Sequence, residues 1–297
     1  MPKNRRVELK DIGLDIGLAF ARHVYKTEYL HYGYWTEGLQ VEPSNVLEAQ
    51  TNYSKLLLEH IPEGVSSILD VGCGSGKFTE QLLNTGYRVE AVSPSPHLSS
   101  IVRSRIGSQV KLHECRYEDL DTSARFDLIL FSESFQYLHL EKAFEQSRKF
   151  LNPGGYLLIC DFFKRDQAPE GSPVFKADEK SPVSGGHAIG HFLEYVSLQP
   201  FRQLKDLDIT AETAPSLDIM RDLIGELVVP TWNAVAFYMQ SNYPWFAAIF
   251  SRVFREKISQ AHRKYLTGNT NEEQFFRFKT YRLFLYQLDE MYTAENL

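Results

Sequence analysis

The sequence is short of cysteine, of long apolar runs and of excess positive charge. Its three cysteines, Cys73, Cys115 and Cys160, are an odd set with no metal or redox spacing. That excludes a disulfide framework and a zinc module, and it suits a reducing compartment. No run is long enough to span a bilayer, and the N-terminal MPKNRRVELKD holds no apolar stretch of a signal peptide. A cytoplasmic protein with no membrane partner is therefore expected. Lys and Arg number 32 against 38 Asp and Glu, a net charge of −6, whereas a nucleic-acid binder presents a basic face. The basic cluster Arg252, Arg255, Lys257, Arg263 and Lys264 interleaves with apolar positions and reads as the solvated side of a helix. Repeats and low-complexity tracts are absent too.

What is present divides into four stretches. Residues 1–63 read as a helical cap, with Leu14, Leu18 and Ala21 at helical spacing and an aromatic-rich segment from Tyr25 to Trp35. Residues 64–163 alternate short apolar strands with helical patterns. The strand candidates are Ser67–Val71, Arg88–Val92, Gln109–His113, Phe126–Phe131 and Tyr156–Asp161. Nearly unbroken apolar strands alternating with helices predict an α/β fold, its parallel sheet covered on both faces. Residues 164–200 are rich in Pro, Gly, Ser and charge and read as a lid or loop. Residues 201–297 add a strand near Gln203–Ile209, a long amphipathic helix from Pro244 to Leu266, and a final strand Phe278–Gln287 that can enter the sheet antiparallel.

The most informative residues run from Ile68 to Phe78, ILDVGCGSGKF. An apolar strand enters a glycine-rich turn and a helix follows, the arrangement that brings backbone close to a ligand at the carboxyl edge of an open sheet. The spacing is G-x-G-x-G, not the dinucleotide G-x-G-x-x-G, and the P-loop pattern fails at Val71 and Phe78. Asp70 directly before the turn repels a diphosphate and suits a ligand bearing an ammonium group.

LDVGCGSG resembles the first signature of the Rossmann-like S-adenosylmethionine-dependent methyltransferases. RFDLILFSESFQYL (Arg125–Leu138) and LNPGGYLLICDF (Leu151–Phe162) resemble later blocks of that family, and LHYGYW (Leu30–Trp35) is similar to an upstream segment of its small-molecule branch. The resemblance implies a seven-stranded, mostly parallel sheet with the last strand antiparallel, an N-terminal helical cap and a C-terminal helical insertion. It implies S-adenosyl-L-methionine as cofactor and in-line methyl transfer to a small molecule. Gly72, Cys73 and Gly74 would wrap the methionine part, and Asp70 would orient its amino group. Ser93 stands where the family offers the ribose an acid. By the same alignment Tyr117 and Glu118 neighbour the adenine, Ser132 and Glu133 face the sulfonium or the acceptor, and Tyr32 closes the pocket with its ring.

For a general base the candidates are His139, Glu133 and His31. His187 and His191 stand at i, i+4, but with no third ligand evident no metal is expected. The aromatics Trp232, Phe237, Tyr238, Tyr243, Trp245 and Phe246 either line an apolar or aromatic acceptor pocket or pack helices. Two other classes stay open: an NAD-dependent oxidoreductase, against which the glycine spacing argues, and a non-catalytic cofactor-binding subunit. A homodimer is a further possibility. The acceptor's identity and the atom methylated are not legible.

Overall fold

The computed structural model describes residues 17–175, 181, 183–253 and 271–291. Seven strands form one sheet: β1 (Ser67–Val71), β2 (Arg88–Val92), β3 (Lys111–His113), β4 (Phe126–Ser132), β5 (Leu151–Lys164), β6 (Phe201–Asp208) and β7 (Lys279–Leu288). Their order is β3-β2-β1-β4-β5-β7-β6. β2, β1, β4 and β5 run parallel to one another, and β7 lies antiparallel between β5 and β6. The antiparallel last strand and the mostly parallel sheet are as the resemblance implied.

Period-two alternation sorts the strand side chains onto two faces. Ile68, Leu128, Leu130 and Leu158 join one apolar layer with Tyr53 and Leu57 of α1 (Val46–Glu59) and Phe78 and Leu82 of α2 (Lys77–Thr85). Val102 and Ile106 of α3 (Pro96–Ile106) complete that layer. Leu69, Val71, Ile129, Phe131, Leu157 and Ile159 join the other, with Phe144 and Phe150 of α4 (Leu140–Phe150) and Phe192 and Val196 of α5 (Ile189–Ser197). Both faces are covered, so the central strands carry apolar residues at most positions, with Asp70 and Asp127 among the exceptions. Local chemistry sets the helix ends. α2 starts beyond Gly76 and stops at Gly86, both left-handed (φ 78° and 104°). α3 begins with Pro96 behind the Ser95 hydroxyl, which accepts the Leu98 amide at 3.3 Å.

Several expected elements have different bounds. The third strand starts at Lys111, because Gly107 turns at φ 64° and residues Gly107–Gln109 make a 3-10 turn. The fifth starts at Leu151 and takes in the Asn152–Gly155 turn, with an irregular register opposite Phe126–Leu128. The loop expected at 164–200 contains α5, whose Phe192 is fully buried against Phe135, Phe163 and Phe284. Of the two histidines at i, i+4 spacing, His187 precedes α5 and His191 lies within it; among the described residues no group of three ligands could hold a metal.

Beyond β6 come α6 (Thr210–Thr213), α7 (Pro215–Leu223), α8 (Val229–Asn242), α9 (Pro244–Val253) and α10 (Glu272–Phe278). The amphipathic helix expected from Pro244 to Leu266 is described to Val253; its remainder, with Leu14 and the basic cluster beyond Arg252, lies outside the described residues. The six aromatics expected to line a pocket or pack helices are all at least 45% exposed on α8 and α9 and the residue between them. No residue of α8 is buried, and among the described residues Tyr238 meets Tyr243 and Trp245 meets Phe246, with ring centres 6.2 and 5.9 Å apart.

Truncating Phe192 to Ala should destabilise the fold by about 3–5 kcal/mol through the cavity it leaves. Leu198→Ala, at a 78% exposed position, should stay within about 0.5 kcal/mol. Equal urea midpoints for the two variants would show that α5 is not anchored as described.

Candidate active site

The strand order reverses between β1 and β4, and at that point an open α/β sheet has a crevice beyond its carboxyl ends. Two unusual backbone segments meet there. After β1, Gly72, Gly74 and Gly76 all adopt positive φ (78°, 56° and 78°). After β4, Glu133 does the same at φ 53°, one of two non-glycine residues with positive φ among those described. A side chain there is strained unless its surroundings hold it. A Cβ on Gly72 would run into the Ser134 side chain, so the glycine is what lets the two turns touch.

The turn's amides are not all available to a ligand, as the sequence suggested they were. Gly72 and Cys73 both donate to the Val92 carbonyl, at 2.9 and 3.3 Å, which closes the turn onto β2. Among the described residues the Gly74 amide has no partner. Asp70 is 3% exposed beneath the turn and accepts the Thr79 hydroxyl at 2.6 Å. Burial pushes its carboxyl up to about 6, with the Thr79 hydrogen bond opposing. Lys77, the one cation of the turn, is taken by Glu80 at 2.8 Å. A buried acid and no free cation are a poor match for a diphosphate. They fit a ligand that brings its own positive charge.

Glu133 is a carboxylate of the crevice held by two hydrogen bonds. Its Oε1 accepts the Tyr32 amide at 2.6 Å and the Tyr281 hydroxyl at 2.7 Å. The Tyr281 and Tyr53 hydroxyls lie 2.9 Å apart, and Ser132 donates to Tyr53 at 3.4 Å. Oε2 has no protein partner among the described residues. Burial pushes the Glu133 carboxyl up to about 8, the neighbouring charge of Asp161 adds to this, and the two hydrogen bonds oppose it. Asp161, fully buried within β5, accepts from the Gln136 backbone amide at 2.9 Å and is raised to about 7, chiefly by burial. Lys279 reaches the same region, its ammonium 2.5 Å from the Gly185 carbonyl and 5.3 Å from the Phe162 ring centre. Burial lowers it to about 8.

The remaining expected residues divide. Tyr32 and Ser132 lie beside Glu133. Tyr32 also faces Phe162, Phe275 and Tyr281, with ring centres 6.1–6.4 Å away. Ser93 is buried at the end of β2, its amide on the His113 carbonyl. Tyr117, expected beside the adenine, is 2% exposed and packed on Phe131 and Phe150, with its hydroxyl on Ser147. An aromatic next to an apolar strand is drawn into the core. Glu118 binds Arg116 at 2.8 Å and the His139 amide at 3.3 Å, and the His139 side chain is exposed before α4. His31 stacks on Tyr53 at 4.3 Å and gives its Nδ1 proton to the Tyr32 carbonyl at 2.7 Å. Burial lowers it to about 4, so it is neutral near pH 7 and a weak base. Tyr53, Tyr281, Asp161 and Lys279 were not found from sequence. They come from three distant segments, α1, β5 and β7, and their signal was only a polar residue inside an apolar run.

A family model described as a methyltransferase domain matches residues 45–212, more than half of the chain. The chain belongs to this methyltransferase family. Among curated relatives, a malonyl-[acyl-carrier protein] O-methyltransferase of Ilyobacter polytropus is 32% identical over 108 residues, 34% of this methyltransferase and 41% of the relative. This chain thus spans about two-fifths of that protein's length. An O-methyltransferase of Pyrenophora dematioidea is 24% identical over 221 residues, 69% of this chain and 82% of the relative. Among solved structures, geranyl diphosphate C-methyltransferase from Streptomyces coelicolor A3(2), in complex with Mg2+, geranyl diphosphate and S-adenosyl-L-homocysteine, superposes with a TM-score of 0.62. It is 15% identical, covering 96% of this chain and 99% of that one, and so shows a shared fold.

Because folding raises the Glu133 carboxyl from its ordinary 4.5 to about 8, its contribution to stability is full below about pH 4.5 and is lost as pH rises through 8. Glu133→Gln should flatten the fall in urea midpoint between pH 5 and 9. Parallel curves for variant and parent would contradict the assignment.

Proposed function

We propose that this methyltransferase uses S-adenosyl-L-methionine to methylate a hydroxyl group of a small molecule, with Glu133 as the base. The observation that carries the reading is the contact of two left-handed turns, the glycine-rich turn after β1 and the Glu133 turn after β4. The first fits an ammonium-bearing nucleoside. The second presents a carboxylate whose Oε1 is committed and whose Oε2 takes no protein hydrogen bond. The names of the two relatives, both O-methyltransferases, support an oxygen acceptor.

The cofactor supplies an activated methyl group, its sulfonium already a good leaving group. The protein's own residues do the rest. Gly72–Gly74 and the Asp70 carboxyl beneath them hold the amino-acid end, Ser93 offers its hydroxyl to the ribose, and the Tyr32 ring closes the mouth. Holding reactants in line can lower the barrier by about 7–11 kcal/mol. Glu133 takes the acceptor's proton, worth about 10²–10⁴-fold. Residues 183–200, pinned by Lys279 on Gly185 and by the His187 carbonyl accepting the Lys164 amide at 2.8 Å, lie on the acceptor side. The exposed rings of α8 and α9 are the surface on which a homodimer would form, which light scattering of the pure protein would reveal.

Calorimetry should give micromolar-range binding of S-adenosyl-L-methionine and its demethylated product and none of NAD. The reverse pattern would make the chain an oxidoreductase. Release of the demethylated product in a screen of small hydroxyl compounds separates an enzyme from a silent binder. A sharper test uses charge. Near pH 7 Glu133 is mostly protonated, and an opposite charge close by lowers a carboxyl by about 1–3 units. Binding of the sulfonium form should therefore release about 0.4–0.9 proton more than binding of the neutral thioether product. Titration in two buffers of different ionisation enthalpy reads the difference, and Glu133→Gln should abolish it. Equal proton counts for both ligands in the parent protein would remove Glu133 from the site.

A further inference from the structure

The aromatic segment from Tyr25 to Trp35 lies as a strap across both turns of the site. Leu30 Cδ1 sits 3.5 Å from where a Cβ on Gly74 would be. The Glu28 carbonyl accepts the Ser75 hydroxyl at 2.5 Å, and the Tyr29 hydroxyl donates to Gln81 of α2 at 3.1 Å. A few residues on, the Tyr32 amide holds Glu133. The strap's two ends are fastened by different physics. Its far end is tied by neutral groups: the Gly33 amide and the Trp35 indole both donate to Ser216 Oγ, at 2.9 and 3.0 Å, and Trp35 is 6% exposed. In its near end, beside neutral bonds such as Thr27 Oγ1 to Gln50 at 2.8 Å, stands a cluster of ions.

Arg105 of α3 is the hub of that cluster, its side chain only 12% exposed. Its planar fork serves three partners at once. Nε donates to the Ser75 carbonyl at 3.2 Å, one terminal nitrogen pairs with Glu28, and the other lies 3.4 Å from Glu80. Arg22 holds Glu28 from the other side at 2.7 Å, and Lys77 holds Glu80 at 2.8 Å. Burial pushes the Glu28 carboxyl up, and the hydrogen bonds and charges of Arg105 and Arg22 outweigh it, so the group sits below its ordinary value. None of these five side chains is needed to contact a ligand, yet together they join the strap, the glycine-rich turn and the helices on either side of it.

We infer that Arg105 is a positioning residue for the cofactor site: by gripping Glu28 and the Ser75 carbonyl together it holds the strap closed over the glycine-rich turn. The inference rests on the reading of that turn as the S-adenosyl-L-methionine cradle. It assigns the affinity of the cradle partly to an ion cluster outside it.

The test is calorimetric titration of S-adenosyl-L-homocysteine into the parent protein and into Arg105→Gln, Arg105→Lys and Glu28→Gln at 50 and 500 mM salt, with thermal unfolding of each. In the parent, added salt should weaken binding several-fold. Arg105→Gln should weaken it at least tenfold at low salt and remove the salt dependence, with Trp35 fluorescence reporting a more open strap. Arg105→Lys should recover part of the affinity, since it keeps the charge and loses the fork. Glu28 is about a third exposed, so Glu28→Gln keeps its fold and should behave like Arg105→Gln even if the latter unfolds. Parent-like affinity and salt dependence in a folded Glu28→Gln variant would overturn the clamp while leaving the cradle intact. A parent protein that does not bind the probe at all would overturn the cradle, and the clamp with it.

Discussion

Gly72 has no side chain, and the space one would need is filled by Ser134. That contact depends on the parallel pairing of β1 with β4, which sets Val71 beside Phe131 and so brings the ends of both strands to the same height. Everything chemical in the molecule follows from it. The turn after β1 curls left-handed onto Val92, the turn after β4 lifts Glu133 to φ 53°, and the two strained segments support each other. Neither conformation would persist alone, since the cost of each is met by packing that only the assembled sheet provides.

The site is also a place where buried polar groups accumulate against the usual tendency of a core. Glu133, Asp161, Tyr53, Tyr281 and Lys279 lie within or beside apolar layers, and hydrogen bonds satisfy them in an order that leaves Glu133 Oε2 over. Burial favours the neutral carboxyl and the hydrogen bonds favour the carboxylate. Burial wins at Glu133 and Asp161, which sit near the acidity at which a proton can be both held and released around neutral pH. At Glu28, on the outer side of the strap, bound arginines win instead. One fold thus pushes one carboxyl up and holds another below its ordinary value.

Much of the architecture was legible in sequence because it is local. The strand at Ser67–Val71, the G-x-G-x-G turn and the helix behind it are written in consecutive residues, and unbroken apolar strands between helices dictate a covered parallel sheet. Boundaries were less legible where a glycine decides them, as at Gly107 before β3. The helix inside the 164–200 segment was hidden because Gly185, Gly186 and Gly190 dominate its composition, while Phe192 supplies its anchoring only through partners on other strands. The surroundings of Tyr117 were not legible either, since its ring packs on Phe131 and Phe150 from other elements.

By itself, the sequence determined the class of fold, the cradle after β1 and the family, since each depends on residues within a few positions of one another. It also marked Glu133 as a candidate, by its place at the end of a strand. Tertiary structure alone decided the surroundings of each candidate. His31 is neutralised by burial, His139 faces solvent, and Glu133 is held by an amide 101 positions away and a hydroxyl 148 positions away. A carboxyl's proton affinity is set by what surrounds it in space, and pattern along a chain carries no record of that until the sheet brings the distant groups together.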